Sequence, residues 1–146
     1  MSENESERER VRQAIRRLGR VFDEHVLKAT YALYTPLQDR PPNDTIEVRR
    51  DLAYGSDPRQ RLDVFVARNR PPGRGLPVVA YFHGGGYLGG ERSPVPGLIY
   101  DNVARFFARN GCIGVNATYR IAPAHPWPNG AEDVGELGSW DSAVTE

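Results

Sequence analysis

The chain has 146 residues, 19 Lys and Arg against 19 Asp and Glu, and one cysteine. That length suits one ordinary domain with a buried core, and a formal charge of zero gives no field that would favour nucleic acid or an anionic membrane. A lone cysteine excludes an intramolecular disulfide framework and any multi-cysteine zinc site.

Residues 1–10 are almost wholly polar, with no apolar leader core and no small-residue cleavage site, so a disordered tail and a cytoplasmic protein are expected. No segment has the length and apolarity of a membrane span. Val11, Ile15, Leu18, Phe22, Val26, Ala29 and Leu33 then recur at spacings of three and four, which predicts an amphipathic helix or helix pair within 11–40. Gly19 weakens its middle and Pro36 stops it. His25 lies beside the apolar stripe and reads as a surface helix histidine rather than a base.

Pro41-Pro42-Asn43-Asp44 punctuates the entry to a different regime, predicted to run over 45–146. Thr45–Arg49 alternates as a half-buried strand does, Tyr54–Pro58 reads as a turn, and Leu62–Val66 is a second strand. The short connection makes the pair an antiparallel hairpin. After the Pro71–Gly75 loop, Val78-Val79-Ala80-Tyr81-Phe82 is a continuous apolar run, the mark of a strand covered on both faces. Ile99, Val103, Phe106 and Phe107 space out a helix with Asn110-Gly111 as its C-cap. Cys112–Ala117 follows as another buried strand, with Cys112 a small hydrophobe and not a reactive thiol. Strand, glycine loop, helix, strand is a βαβ crossover and implies parallel pairing in a layered α/β sheet. A last helix is expected over about 130–140, poor because of Gly135 and Gly138.

The chemistry lies in the glycine loop, His83-Gly84-Gly85-Gly86-Tyr87-Leu88-Gly89-Gly90. Three consecutive glycines let a backbone approach a ligand closely and aim N–H groups at one point. Acyl transfer needs such donors where the carbonyl oxygen becomes an oxyanion. A phosphate-binding loop would carry Gly-Lys-Ser/Thr at the helix start, and no Lys is present. A dinucleotide loop would open directly into a helix, whereas a further dozen loop residues follow Tyr87. A purely structural turn remains as the bland alternative. Strand, His, three glycines and an aromatic is the arrangement described for esterase and lipase oxyanion loops.

From roughly Leu52 to Trp140 the sequence resembles the α/β-hydrolase esterases of the hormone-sensitive-lipase and carboxylesterase type. His83-Gly84-Gly85-Gly86 matches their HGGG element, and Tyr87 stands at their aromatic position. The segment from Tyr119 to Pro128, YRIAPAHPWP, is similar to their "YRLAPEHPFP", and Glu132, Asp133 and Trp140 match the acidic pair and tryptophan of the next helix. The resemblance implies an α/β sheet with N-terminal cap helices and hydrolysis of a small-molecule carboxylic ester. It places Gly84, Gly85 and Gly86 in the oxyanion hole and gives His83 and Tyr87 a supporting place. A formamidase-like amide hydrolase and a non-catalytic interaction fragment are the rivals. No cofactor, metal or nucleic acid is implied. Ala124 and Thr118 depart from acidic residues of the family pattern. Arg120 and Asp133 are expected to pair and fix the Pro-rich loop, and His125 reads as a structural loop histidine because the triad histidine follows the serine in this fold.

The elbow Gly-x-Ser-x-Gly is not found around Ser2, Ser6, Ser56, Ser93, Ser139 or Ser142. The expectation is therefore an N-terminal portion of the sheet carrying oxyanion donors without nucleophile, acid or base. Its Val78–Phe82 strand, lacking the elbow strand as a neighbour, would form an exposed edge open to self-association.

Overall fold

A computed structural model describes residues 3–38, 45–70 and 75–140. The Pro41–Asp44 break, most of the Pro71–Gly75 loop and Ser142 lie outside the described residues. The chain divides into two compact units, Met1–Arg40 and Pro41–Glu146.

The first unit holds α1 (Glu3–Leu18), α2 (Glu24–Tyr34) and a 3-10 turn (Thr35–Leu37). The polar N-terminus is thus helical from Glu3, not a tail to residue 10. Glu and Arg at helical spacing explain it. Arg12 pairs with Glu9 at 3.7 Å, and Arg16 and Arg17 lie at the C-terminal end, where the helix dipole favours cations. Gly19, with φ +77°, ends α1 and divides the periodic stretch in two. The Asp23 side chain then caps α2 by accepting from the Val26 amide at 2.8 Å.

The second unit is a four-stranded mixed sheet in the order β1-β2-β4-β3, with β1 (Ile46–Ala53), β2 (Arg61–Ala67), β3 (Val78–Phe82) and β4 (Ile113–Ala117). β1 and β2 form the antiparallel hairpin, β2 pairs antiparallel with β4, and β4 pairs parallel with β3 across the helix α3 (Asp101–Arg109). Helix α4 (Asn129–Gly138) closes the described chain. Alternation along β2 sorts the core. Leu62, Val64 and Val66 join Tyr54, Ile113, Val115 and Ala117 on one face, while Phe65 joins Ile46, Ala104 and Ala108 on the other.

Three expectations need correction. The buried residues of α3 are Asp101, Ala104 and Ala108, and Phe106 stands 60% exposed. Small residues face the sheet because helix and strand nearly touch: a Cβ on Gly114 would sit 2.2 Å from the Ala104 carbonyl oxygen. Cys112 precedes β4 and is only partly buried. The apolar run of β3 is not covered on both faces, since Val78 and Ala80 are exposed, and β4 is the fully buried strand; β3 does stand at the sheet edge, as expected. An apolar run reports tolerance of burial, and Val78 and Ala80 share the one face that is left uncovered.

β1 carries a bulge where Arg50 and Asp51 stand opposite Asp63. The buried Asp63 carboxylate accepts the Asp51 amide at 2.9 Å, Arg50 Nη1 at 2.7 Å and Arg92 Nε at 3.0 Å. Arg50 also reaches the fully buried Asp101 at the start of α3 at 2.5 Å. Burial alone would raise the Asp63 pKa, but these donors outweigh it and hold the carboxyl below its ordinary value. The network ties β1, β2, α3 and the segment after the glycine loop into one frame.

Candidate active site

The glycine loop leaves the C-terminal end of β3. His83, 2% exposed, is its buried root, while Gly84, Gly85, Gly86 and Tyr87 are exposed. Four hydrogen bonds fix the His83–Tyr87 part of its backbone, all through carbonyls. Tyr119 Oη donates to the His83 carbonyl at 2.9 Å, and His83 Nδ1 donates to that of Gly84 at 2.8 Å. The Leu88 amide donates to Gly85 O at 3.1 Å, and the Ala122 amide to Tyr87 O at 2.8 Å.

A trans peptide unit is planar, with C=O and N–H pointing opposite ways. The only cis bonds among the described residues are Ala122–Pro123 and Trp127–Pro128. Pinning the carbonyls of His83, Gly84 and Gly85 therefore also fixes the amides of Gly84, Gly85 and Gly86 on the reverse sides of those planes. Among the described residues none of these three amides has a hydrogen-bond partner. The loop thus presents three oriented, unused donors in a row.

Two glycines here are required by space. Gly85 has φ +138°, and a Cβ on it would lie 2.0 Å from the Gly89 carbonyl oxygen. Gly90, at φ +108°, has its Cα against the His83 ring, leaving 2.4 Å between a built Cβ and Nδ1. Tyr87 takes φ +61°, unusual for a residue with a side chain, and the Ala122 bond holds it there.

A carbonyl can only accept, so His83 Nδ1 carries a proton. Burial lowers its pKa; the Gly84 carbonyl opposes this and the nearby Arg59 charge adds to it, for a net downward shift. The ring stacks on Tyr119 at 4.7 Å between centroids, and Tyr119 meets Tyr87 edge-on at 5.7 Å. Tyr87 in turn meets Trp127 at 6.5 Å, and the pair stands 55% and 74% exposed beside the loop.

The Thr118–Pro128 strap that brings Tyr119 to His83 is bolted to α4. The fully buried Asp133 carboxylate accepts the Arg120 amide at 2.6 Å, Arg120 Nε at 2.7 Å and Gln60 Nε2 at 2.9 Å. The expected Arg120–Asp133 pair is present. His125 lies on the strap, far along the chain from His83, with its Nε2 3.1 Å from Asp57. His25 is an exposed residue of α2 in the other unit.

The turn at 54–60 plays a larger part than its sequence suggests. Gln60 is buried against Asp133, Asp57 meets His125, and the Arg59 guanidinium spans the strap and the glycine loop. Its Nε donates to Tyr119 O at 2.9 Å and its Nη2 to Gly90 O at 2.9 Å. No local pattern in the sequence points to these contacts. For Asp63 a signal exists: an acid on the same face of β2 as Phe65 must find a partner.

Residues 79–143 match the family model described as alpha/beta hydrolase fold. "Probable carboxylesterase 3" of Arabidopsis thaliana is 28% identical over 109 residues, covering 72% of this chain and 33% of that protein. Esterase LipC of Mycobacterium tuberculosis is 36% identical over 95 residues, covering 65% of this chain and 22% of its own length. Among solved structures, an esterase from the bacterial hormone-sensitive lipase family superposes with a TM-score of 0.59 at 26% identity, over 92% of this chain and 42% of that one. These matches liken the chain to the α/β-hydrolase superfamily. Within it, the likeness is to esterases of the hormone-sensitive-lipase and carboxylesterase type, and the chain spans about a third or less of the length of those two curated relatives.

Proposed function

We propose that the Gly84–Gly86 bend is the oxyanion-binding part of a carboxylic ester hydrolase. The observation that carries this reading is the row of three amides, oriented through their own carbonyls and left without partners. When a serine oxygen attacks an ester carbonyl, the carbonyl oxygen gains a full negative charge. Donors already fixed in place stabilise that charge without reorganising, and each contributes about 3–4 kcal/mol. Collapse of the intermediate expels the alcohol and leaves an acyl-enzyme, and water attacks it through a second oxyanion held by the same amides. His83 and Tyr87 support the bend.

No serine here stands in Gly-x-Ser-x-Gly. In this reading the serine, its base and the acid come from polypeptide beyond these 146 residues, and the chain alone does not turn over esters. The open β3 edge is where an added strand, or a second copy, would pair.

The test grafts residues 1–140 in place of the equivalent N-terminal segment of an active carboxylesterase relative and assays p-nitrophenyl butyrate. A folded chimera should hydrolyse it, while the 146-residue chain should not. A folded but inactive chimera, or serine-dependent turnover by the purified chain, would sink the proposal.

A further inference from the structure

We propose that Arg59 is a positioning residue that clamps the glycine loop; the catalytic consequence rests on the oxyanion reading above, but the clamp itself does not. The bend has two ends. At its entry the His83 carbonyl is held by the Tyr119 hydroxyl at 2.9 Å; at its exit the Gly90 carbonyl is held by Arg59 Nη2 at 2.9 Å. These two anchors are one assembly, because Arg59 Nε also holds the Tyr119 carbonyl at 2.9 Å. One planar guanidinium therefore sets the distance between strap and loop exit, a task for the rigid fork of arginine that a lysine ammonium cannot reproduce.

The exit matters because of what Gly90 touches. Its Cα packs against the His83 ring and the Gly84 carbonyl, where a built Cβ would fall 2.4 Å from each. His83 Nδ1 and Gly84 O are the two atoms whose bond orients the Gly85 amide. Displacing Gly90 removes the wall behind that bond. Arg59 thus acts on the middle amide through Gly90, His83 and Gly84, without touching any reacting atom. Its third arm, Nη1 to Glu91 at 3.2 Å, is an exposed contact of little weight.

The clamp is tested on the 146-residue chain with Arg59→Gln and Arg59→Lys. Hydrogen exchange read by mass spectrometry should show the peptide covering 83–92, which contains the bonded Leu88 amide, exchanging at least about 10-fold faster in both variants, the factor expected for losing about 1.4 kcal/mol of local protection. Peptides from β2 and β4 should keep their wild-type rates. Exchange at the imidazole C2 position of His83 should show its midpoint raised in Arg59→Gln, which removes the nearby positive charge and the wall behind the ring together. Unchanged protection of 83–92 in both variants would overturn the clamp. So would protection lost equally across β2, β4 and the loop, which would mark Arg59 as a general stabiliser. A loosened loop in these variants together with a folded, inactive chimera would refute the ester reading and leave the clamp standing.

Discussion

Single alanine substitutions at the three loop glycines should separate sharply, and the order follows from space and φ. At Gly85 an alanine meets two obstacles. The backbone conformation at φ +138° is one that side chains avoid, costing about 1–3 kcal/mol. Its Cβ would also lie 2.0 Å from the Gly89 carbonyl oxygen, which must retreat by about 1 Å to reach the shortest tolerated contact of 3.0 Å. Moving Gly89 carries Gly90 off the His83 ring and releases the Gly84–Gly85 peptide. A displacement of that size near reacting groups costs on the order of 100-fold, and loss of one oxyanion donor costs about 100- to 1,000-fold in kcat. At Gly86 a built Cβ finds open space, so only the left-handed φ of +62° opposes it, at about 1–2 kcal/mol. Gly84 has open space and no positive φ, so alanine there should be nearly silent, within about 0.5 kcal/mol. The chimera assayed with p-nitrophenyl butyrate should rank Gly85→Ala as most damaging, then Gly86→Ala, then Gly84→Ala. KM should change little, because the oxyanion is absent from the bound ester and forms only in the tetrahedral intermediate and its flanking transition states. Equal losses at Gly84 and Gly85, or a fully active Gly85→Ala variant, would refute the bend described here.

Asp133→Ala should destabilise the chain by roughly 2–4 kcal/mol in urea unfolding, since it removes the buried acceptor shared by the Arg120 amide, Arg120 Nε and Gln60 Nε2 while Glu136 and Asn129 still receive the side chains; a change under about 1 kcal/mol would mean that the strap is held some other way. Burial lowers the His83 pKa, so the neutral ring is the folded form: its stabilisation is complete above the ordinary value of 6.5 and declines as pH falls below it toward the folded midpoint. Protection of the 83–92 peptide should therefore weaken on acidification, and a His83 midpoint at or above 6.5 would contradict this. Val78→Lys on the exposed β3 edge should reduce any self-association seen by light scattering, and an unchanged mass distribution would place the contact elsewhere.

What could be read from the sequence divides along a physical line. Periodicity and punctuation are local, and they located the β1–β2 hairpin, the βαβ crossover and the Asn110-Gly111 C-cap. They failed where the outcome depended on what lies across the gap. The face of α3 was set by Gly114 on another element, which admits Ala104 and Ala108 and turns Phe106 outward. The same limit applies to β3, whose composition permits two covered faces although Val78 and Ala80 stand exposed; its edge position, by contrast, was legible from the missing elbow motif. At residues 3–10 polarity alone predicts disorder, although Glu and Arg at helical spacing sustain a helix without a core.

The glycine loop shows the division within one site. Its three glycines announce unusual backbone, and the strand–His–glycine order points to donors for an oxyanion, so its chemistry is legible. What makes those donors usable is not. A loop of glycines is by itself the most mobile backbone available, and donors that must be ordered during the reaction lose much of their value. The rigidity comes from Tyr119, Leu88, Ala122 and Arg59, spread over more than sixty residues of sequence, each acting on a carbonyl. Such partners cannot be inferred from spacing, since any arginine in a turn has the same local signature. The glycines allow the conformation, and distant donors select it.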